Sequence, residues 1–320
     1  MKALIIVNPH AHSGEINRQT QREQITQRLQ TLAHVSSVEW VETQHSHHGT
    51  RLAQEATQNG YRYILAAGGD GTISEVLNGV MSVNMETSAR PIFGVLPWGT
   101  LNDFHTALKT AESAHGTATP DQITQPLDIG RVVIRKKGDS ATVERFACLS
   151  ISIGLSSWAN QHYMEASRRF GRRLAHIPGA LNAIRTYRPS PGVTVTLDNQ
   201  PPEFKQMLSI AINNCASVGG GVQLTPDAKV DDGQFDLCII APVPLWRVAL
   251  LLMMARLGVV YHDSAVQLGR AHDIVITSTR SFSIHIDGES VPKVKSKTKQ
   301  VSIHVMPAEL QVIAPSVLGF

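Results

Sequence analysis

Short apolar runs alternate with helical patterns along the first hundred residues, and this alternation restricts the possible folds more than any other feature. Repeated strand–helix–strand units of this kind predict a parallel sheet with helices on both faces. Ligands of such sheets bind beyond the carboxyl ends of the strands, so the loops at those ends are predicted to form one site. The apolar runs are residues 3–7, 38–42, 63–67 and 92–96, and the loops that follow them are 8–14, 43–49, 68–72 and 97–103.

The loop after the third run has the sequence Gly-Gly-Asp-Gly-Thr at residues 68–72 and leads into a helical pattern that begins at Ile73. Glycines allow backbone N–H groups to approach an anion closely, and a helix N-terminus favours negative charge, so this loop predicts phosphate binding. It matches neither the dinucleotide-binding glycine motif nor the lysine-bearing P-loop. Asp70 within the loop suggests a divalent metal between carboxylate and phosphates, or a carboxylate that orients a hydroxyl.

The rest of the chain has a different pattern, and we place a domain boundary in the polar segment 106–126. An α/β domain at residues 1–126 is predicted to precede a β-rich sandwich at 127–320, because short apolar runs there are separated by Gly, Pro and Asp turns. Residues 310–314 are expected to return to the first domain. The predicted strands are 129–135, 144–153, 193–197, 207–213, 235–240, 273–277, 282–286 and 301–305, with helical segments at 158–187 and 245–261.

Composition narrows the class of protein. Apolar residues make up 42% and charged residues 17% of the chain, as in ordinary globular proteins. A net charge of +3 is too small for a nucleic-acid-binding signature but allows contact with anionic substrates or an anionic membrane surface. The three cysteines are widely spaced in apolar runs, which favours reduced core residues and a cytoplasmic protein. The longest apolar stretch, 245–261, contains two arginines and is too short to span a bilayer.

Several motifs, in order, make the chain similar to the catalytic domain of diacylglycerol kinases, which bacterial lipid kinases and sphingosine kinases share. NAD kinases also carry the motif at 68–72, but Gly-Thr-x-Asn-Asp-Phe at 99–104 and Asp-Gly-Glu at 287–289 separate the two families. The resemblance covers nearly the whole chain. Its motifs are Asn8-Pro9 with Ser13-Gly14, and residues 68–72, 97–104, 219–221, 226–229, 231–233 and 287–289.

The resemblance implies a fold with an NAD kinase-like first domain and a kinase activity that uses ATP and Mg²⁺. Glu289 matches the position of the general base for the acceptor hydroxyl, and Asp70 would act near the phosphates, directly or through magnesium. A separate structural magnesium is implied with Asp232 as side-chain ligand and backbone carbonyls near Lys229 and Gln234. The residues implied on the nucleotide side are Asn8, Thr43, Gly68, Gly69, Asp70, Gly71, Thr72, Ile73, Ser74, Thr100, Asn102 and Asp103.

Simpler interpretations stay open for several of these features. Asn102 and Asp103 are also typical helix N-caps, and Asp-Gly pairs at 232–233 and 287–288 are typical turns. The histidines of the first two loops (His10, His12, His45, His47 and His48) are interpreted as solvated rather than as a metal site. The helix at 245–261 is interpreted as covering the sheet, with a lipid-facing role as the alternative. An arginine cluster suggests docking on anionic headgroups or a solvated helix face: Arg168, Arg169, Arg172, Arg173, Arg185 and Arg188.

The leading hypothesis is an ATP- and magnesium-dependent lipid kinase, cytoplasmic with peripheral contact on the inner face of the membrane. Its acceptor would be a diacylglycerol-like or sphingoid lipid. The alternatives are an NAD kinase-like enzyme and a nucleotide-binding regulator without turnover. Departures from the family pattern, such as Trp98, Glu15 and Ser156-Ser157, leave the acceptor open. No nucleic-acid partner is expected, and a homo-oligomer is one option.

Overall fold

A computed structural model describes residues 1–11, 18–116, 123–136, 142–158, 162, 166, 182, 186, 192–291 and 298–320. The chain divides into two compact units. The N-terminal unit comprises Met1–Ile129, Lys229–Gly233 and Met306–Phe320. The C-terminal unit comprises Gly130–Ala228 and Gln234–Val305. The N-terminal unit is therefore built from three separate stretches of the chain.

The N-terminal unit contains the parallel sheet that the alternation of apolar runs predicts. Every residue of its third strand is buried, as expected for a strand in the interior of a parallel sheet. Its fourth strand also pairs in parallel with the end of the last strand of the chain, at Phe93 and Val312. The spatial order is β2 (Ser37–Glu42), β1 (Lys2–Val7), β3 (Tyr63–Gly68), β4 (Ile92–Pro97) and the end of β16 (Thr298–Ile313).

Helices connect these strands. Ile25 and Leu29 from the first helix pack into one core cluster with Ile5 and Leu65 of the sheet. A short 3-10 turn at Thr87–Ala89 precedes β4. The helices of this unit are α1 (Arg18–Leu32), α2 (His48–Gln58), α3 (Asp70–Met81), α4 (Asp103–His115) and, at the chain end, α6 (Pro315–Leu318).

Helix α3 begins at Asp70, three residues before the apolar spacing begins at Ile73. Gly69 is its N-cap in an extended conformation. The apolar pattern begins late because the first turn of the helix lies at the edge of the sheet, whereas Ile73 and Val76 face the core and are buried. Asp70 is therefore the first helical residue and not part of a separate turn.

The C-terminal unit is a β-sandwich of antiparallel strands. Its core cluster combines residues of both layers, for example Ile151 and Phe235 with Ile274 and Val301. One sheet has the order β12 (Val266–Ala271), β11 (Phe235–Ile240), β10 (Ser209–Asn213), β7 (Ser150–Gly154), β14 (Ile284–Ile286) and β15 (Glu289–Val291). Among the other strands, β5 (Thr124–Lys136) pairs with β6 (Thr142–Ala147). Strand β16 pairs with β13 (Asp273–Phe282), β13 with β8 (Val193–Leu197), and β8 with β9 (Glu203–Lys205).

The predicted strand 144–153 is wrong in one respect, because the structure divides it into β6 and β7. The break falls at residues 148–149, whose backbone N–H groups point to the carboxylate of Asp287 instead of a neighbouring strand. Strands β9, β12 and β15 were not predicted. Two of them have only three residues, and β12 is largely exposed, so neither length nor alternation indicates them.

The interpretation of residues 245–261 as a helix that covers the sheet is wrong for half of its surface. Helix α5 (Leu245–Arg256) buries Val248, Leu251 and Ala255, while the Trp246 side chain on the opposite face is 69% exposed. Apolar residues surround the whole helix, so its pattern alone did not show that one face lacks cover. None of the described helices combines the length and apolar character needed to cross a bilayer.

Most of the predicted helical segment 158–187 lies outside the described residues. So do all six arginines of the proposed cluster, which are Arg168, Arg169, Arg172, Arg173, Arg185 and Arg188. Ser13, Gly14, Glu15 and His12 of the first loop also lie outside them.

Candidate active site

Two glycines bring the loops after β3 and β4 into direct contact. A Cβ atom added to Gly99 would lie 2.3 Å from the Cα of Gly69, a distance that no side chain tolerates. Gly68 is similarly restricted, because an added Cβ would lie 2.5 Å from Oγ1 of Thr72. By contrast, none of the residues that the structure describes lies within 4 Å of a Cβ added to Gly71, which is exposed. The glycines at 68, 69 and 99 therefore serve close packing, and Gly71 leaves space in front of the loop.

Asp70 links these two loops through its carboxylate. Oδ1 accepts a hydrogen bond from the backbone N–H of Phe104 at 3.2 Å, and Oδ2 accepts one from that of Asp103 at 3.4 Å. These are the first two residues of α4, so Asp70 caps α4 and at the same time occupies the first position of α3. Burial raises the pKa of Asp70, and the two N–H groups oppose this shift. A carboxylate is thus held near two helix N-termini, where negative charge is favoured.

Asn102 closes the loop that precedes α4 and does not cap the helix with its side chain. Its Oδ1 accepts the N–H of Gly99 at 2.9 Å, and its Nδ2 donates to the carbonyls of Pro97 and Gly99 at 3.1 Å each. Its backbone is left-handed, with φ 55°, a conformation that Asn adopts more readily than most residues. The side-chain cap interpretation is therefore wrong for Asn102, because Asp70 from the other loop supplies the acceptor.

The first loop contacts the glycine loop through Asn8. Its Nδ2 donates to Oγ1 of Thr72 at 3.1 Å, and its Oδ1 accepts the N–H of His10 at 3.0 Å. Thr43 follows β2 and is half-buried, and its N–H donates to the carbonyl of Val7 at 2.8 Å. Thr100 is exposed in the loop after β4. These residues thus lie at the carboxyl ends of the four parallel strands.

Four of the residues implied on the nucleotide side, Thr72 among them, have buried side chains. Ile73 is 1% exposed and Ser74 is 4% exposed, so both contribute to the packing of α3. Asp103 is also buried, while its backbone N–H contacts Asp70. Any contribution of Ile73 and Ser74 to ligand binding would come from their backbone at the start of the helix.

Sequence reasoning missed Glu75, which organises the loop before α2. Its Oε1 accepts the N–H of His47 at 2.9 Å, and its Oε2 accepts the N–H of Gly49 at 3.2 Å. The exposed His45 fits the solvated interpretation, but His48 does not, because it is buried and its Nδ1 accepts the N–H of Gln44 at 3.0 Å. Burial lowers the pKa of His48, which keeps the ring neutral as an acceptor. The feature of the sequence that could have identified Glu75 is an acidic residue one helical turn after the glycine loop.

Trp98, a departure from the family pattern, is 2% exposed and stacks on Trp40 of β2. The ring centroids lie 6.0 Å apart and the ring planes are nearly parallel, at 13°. Its side chain therefore contributes to the core of the N-terminal unit and is not available to a ligand.

A buried aspartate, Asp128, stands behind the loop in which magnesium ligands are implied. Its Oδ2 accepts the N–H of Gly233 at 2.6 Å, and its Oδ1 accepts the N–H of Ala308 at 2.8 Å. Burial raises the pKa of Asp128, the two N–H groups oppose this, and the charges of Asp232 and Asp231 add to it. The only sequence signal for Asp128 was a charged residue between apolar neighbours, immediately before the predicted strand 129–135.

The donor set at this loop fits magnesium. Three carboxylates lie close enough to repel one another, and a divalent cation would offset that repulsion. Asp232 is exposed and offers a carboxylate, and the exposed Lys229 and Gln234 offer backbone carbonyls. Oxygen donors of these kinds are the ligands that magnesium prefers.

A second group of metal-type side chains exists in the C-terminal unit. Among the residues that the structure describes, His272, Asp273 and His304 have ligand atoms within 4.8 Å of one another, and His304 Nδ1 lies 2.7 Å from Asp273 Oδ1. Imidazole nitrogens suit zinc or copper better than magnesium. This group shares no residue with the implied magnesium ligands and does not represent that site.

Glu289 begins β15 immediately after a two-residue hairpin turn. The turn residues Asp287 and Gly288 have φ 46° and 82°, so the turn interpretation of this pair is confirmed. Positive φ at both central positions is the hairpin geometry that favours Asp-Gly. Glu289 is half-buried and lies opposite Ile286 in the ladder.

The carboxylate of Asp287 fastens this hairpin to the start of β7. It accepts N–H hydrogen bonds from Cys148 at 3.0 Å, Leu149 at 2.9 Å and Ser150 at 2.8 Å. Asp287 is 2% exposed, and burial raises its pKa against the opposing effect of these three donors. The position of Glu289 therefore depends on an aspartate two residues earlier, which sequence reasoning identified as part of the Asp-Gly-Glu motif and as a turn residue, without a role of its own in the site.

Comparison with known families agrees with this arrangement. Residues 2–132 match the diacylglycerol kinase catalytic domain, and residues 149–314 match the YegS C-terminal NAD kinase beta sandwich-like domain. The chain belongs to the family of the YegS C-terminal NAD kinase beta sandwich-like domain, whose model matches just over half of it, and its N-terminal part matches the diacylglycerol kinase catalytic domain. The predicted family membership is therefore confirmed, and with it the fold class of an α/β domain followed by a β-sandwich.

Several bacterial proteins are similar to this chain at modest identity. A diacylglycerol kinase of Bacillus subtilis is 27% identical over 90% of this chain and 89% of its own length. One of Staphylococcus haemolyticus is 28% identical over 80% of this chain and 73% of its own. A Chromohalobacter salexigens protein named "Probable lipid kinase YegS-like" is 30% identical over 60% of this chain and 58% of its own. Names of this kind indicate a kinase.

Solved structures show the same fold. The crystal structure of a diacylglycerol kinase from Bacillus anthracis aligns with a TM-score of 0.66 at 18% identity, over 99% of this chain and 98% of that one. Yeast NADH kinase in complex with NADH aligns with a TM-score of 0.54 at 11% identity, over 99% and 84%. The NAD kinase-like architecture is thus shared with this distant enzyme at the level of the fold.

Proposed function

We propose that this protein is an ATP- and Mg²⁺-dependent kinase that transfers the γ-phosphate of ATP to a hydroxyl group of a lipid. The observation that carries the proposal is the carboxylate of Asp70, held by the N–H groups of Asp103 and Phe104 at the edge of a parallel sheet. A partly buried acid in a glycine loop is not needed for a tight turn, and it is well suited to a nucleotide phosphate site with a metal ion. Family membership supports a kinase.

On the nucleotide side, the N-terminus of α3 and the loop around Gly71 would bind the phosphates. Space in front of Gly71 allows the phosphates to approach the backbone N–H groups closely. Asn8 holds Thr72 in place, and Thr43 and Thr100 would offer hydroxyl groups to the nucleotide. Magnesium, when bound with ATP, would neutralise charge on the phosphates, and Asp70 is the carboxylate in this loop able to orient it.

On the acceptor side, Glu289 would accept the proton of the lipid hydroxyl. A general base must reach hydrogen-bonding distance of that hydroxyl, which requires a fixed position. The Asp287 carboxylate, with its three backbone donors, provides this rigidity to the hairpin that carries Glu289. The names of the relatives support a lipid as the acceptor. In this proposal the lipid lies in a bilayer that the protein would contact peripherally from the cytoplasm.

The test is phosphate transfer from labelled ATP to diacylglycerol, sphingosine, ceramide, polyprenol or NAD. We expect transfer to a lipid that depends on magnesium, and a decrease of about 100-fold or more in kcat for Asp70→Asn and for Glu289→Gln. Glu86→Gln serves as control, because Glu86 is an exposed glutamate outside the proposed site.

Other outcomes distinguish the alternatives. Transfer to NAD without any requirement for lipid would favour an NAD kinase-like enzyme, which the yeast NADH kinase likeness keeps in consideration. If the protein binds ATP but transfers phosphate to none of these acceptors, and if Glu289→Gln behaves as the wild type does in the same assay, the protein would be a nucleotide-binding regulator.

A further inference from the structure

Helix α5 carries a row of exposed apolar side chains along one face. Trp246, Leu250, Met253 and Leu257 follow one another at helical spacing and are 69%, 38%, 57% and 71% exposed. We call these four residues the apolar stripe. Leu252 on the same helix is also exposed, at 52%. A run of large apolar groups on one surface helix marks an interaction surface more often than a single exposed leucine does.

The exposure of the stripe does not result from a loosely attached helix. On the opposite face Val248 packs with Leu155 and Leu208, and Leu251 and Ala255 pack with Val260 in a second cluster. The side chain of Arg247 also holds the helix, since its Nη2 lies 2.7 Å from Oδ1 of Asp263. The stripe is therefore presented to solvent by a firmly packed element of the C-terminal unit.

The charge around the stripe restricts what can cover it. Residues 245–262 contain no aspartate or glutamate, whereas Arg256 is exposed at the end of α5. Two copies that paired stripe to stripe would bring arginines together without a carboxylate from this segment to offset them. An anionic surface that also accepts apolar side chains fits the charge and the apolar character of residues 245–262 better than a second copy does.

Aromatic residues at the two ends of the segment support the same kind of partner. Trp246 begins the stripe, and Tyr261 lies just beyond it and is 41% exposed. Trp and Tyr are enriched at membrane–water interfaces, because one part of each ring is apolar and the other can form hydrogen bonds.

We propose that the apolar stripe docks onto the surface of an anionic bilayer, inserting Trp246, Leu250, Met253 and Leu257 at the headgroup level while Arg256 contacts lipid phosphates. The inference rests on the proposed function, because a kinase for a bilayer lipid must reach its acceptor at that surface. The contact is interfacial, since the helix has only twelve residues.

Flotation with vesicles of phosphatidylcholine and phosphatidylglycerol tests the docking directly. We expect the protein to float with vesicles that contain phosphatidylglycerol, and the double variant Trp246→Ser/Met253→Ser to bind at least tenfold more weakly. Phe204→Ser is the matched control, because Phe204 is an equally exposed aromatic residue, at 64%, in strand β9. Equal binding by the wild type and the double variant would overturn the proposal, as would an equal loss in the control.

Quenching of tryptophan fluorescence by brominated lipids provides a second measurement that does not depend on a disruptive variant. We expect quenching in the wild type that Trp246→Phe removes in large part while vesicle binding persists. Undiminished quenching in Trp246→Phe would contradict insertion at this residue. A stable dimer that Trp246→Ser dissociates, without vesicle binding by either form, would show that a second copy covers the stripe and would also overturn the proposal.

Failure of docking can be separated from failure of the proposed function. A short-chain diacylglycerol dissolved as a monomer does not require membrane docking. We expect the double variant to phosphorylate it at the wild-type rate but to lose at least tenfold in activity on diacylglycerol in vesicles. If the wild type phosphorylates neither, the kinase proposal fails while the flotation result still decides the docking.

Discussion

At the scale of single residues, carboxylates that are fully or partly buried organise this protein. Asp70, Asp128 and Asp287 each accept backbone N–H groups from segments distant in the sequence. A carboxylate that loses water on burial is retained only where such donors compensate for it. These residues therefore join loops that no hydrophobic pattern would bring together, and they do so next to the side chains proposed to act in catalysis.

Replacement of Asp287 by alanine should destabilise the C-terminal unit strongly. Three backbone N–H groups would lose their acceptor in a buried place, which predicts a decrease of about 3 kcal/mol or more in the free energy of unfolding. Urea denaturation gives the value, and amide exchange at Cys148, Leu149 and Ser150 should accelerate. Asp227→Ala, at an exposed turn, is the control. A loss below about 1 kcal/mol would show that water replaces the carboxylate without difficulty.

A histidine should make the stability depend on pH. His285 is 2% exposed, with its Nδ1 2.6 Å from Ser157 Oγ, and burial lowers its pKa to about 4. Because the unfolded ring has a pKa near 6.5, the unfolded chain binds more protons between these values. Its contribution to stability is complete above pH 6.5 and is lost as the pH falls towards 4, by at most about 1.4 kcal/mol per pH unit.

The variant His285→Asn isolates this effect. It keeps a polar partner for Ser157 without a titrating ring, so the free energy of unfolding should fall less steeply between pH 6.5 and 4.5 than in the wild type. The comparison is needed because the raised pKa values of Asp70 and Asp287 act in the opposite direction in the same range. His262→Asn, at an exposed position, should leave the slope unchanged. Identical slopes for His285→Asn and wild type would refute the assignment.

At the scale of elements, the important contact is between the loops after β3 and β4. Gly69 and Gly99 meet backbone to backbone, and this approach brings the carboxylate of Asp70 to the N-terminus of α4. Two strand–loop–helix units are thereby joined at their carboxyl ends. The glycines of these loops consequently have two separate tasks, loop packing and access for a ligand.

Two glycine variants should separate these tasks. Gly99→Ala places a methyl group 2.3 Å from Gly69 and should cost about 2 kcal/mol in the free energy of unfolding through overpacking. Gly71→Ala meets nothing within 4 Å, so stability should be unchanged or higher by up to about 1 kcal/mol in the first turn of α3. Calorimetry measures both.

The two glycine variants should also differ in their effect on enzymatic activity. Gly71→Ala should raise the KM for ATP, because its methyl group would occupy the space proposed for the phosphates. An unchanged KM would place the phosphates elsewhere, and a stable Gly99→Ala would show that the loops can separate at little cost.

At the scale of the whole molecule, the chain enters the N-terminal unit three times. Lys229–Gly233 and Met306–Phe320 both belong to it, and Asp128 contacts each of these segments through one N–H group. The acidic loop with the implied magnesium ligands is thus tied to β5 by the buried carboxylate of Asp128 and by its backbone N–H, which donates to the carbonyl of Val230 at 2.7 Å. Binding of a cation there would stabilise the folded chain by mass action.

Magnesium should therefore raise the melting temperature of the wild type, and removal with a chelator should reverse the effect. The stabilisation is about 1.4 kcal/mol at a tenfold excess over the dissociation constant. Asp232→Asn should abolish the increase, whereas Asp227→Asn, in the preceding turn, should retain it. The same increase in Asp232→Asn as in the wild type would exclude Asp232 as a ligand.

The sequence by itself determined the fold class and the neighbourhood of the candidate site. Four apolar runs with helical patterns between them are sufficient for a parallel sheet, and the polar loops must then lie at its carboxyl edge. Turn chemistry likewise predicted the hairpin at Asp287 and Gly288. These inferences succeed because periodicity and turn residues act over a few neighbours in the chain.

Only the tertiary structure decided what the polar residues of the site contact. It showed that Asp70 caps α4, that Asp128 joins segments more than a hundred residues apart, and that Asp287 fixes the base of β7. It also showed that one apolar face of α5 lacks cover. Such relationships depend on how distant segments of the chain approach one another in three dimensions. A sequence pattern that is equally apolar, or equally polar, on every side of an element carries no information about which side will be covered.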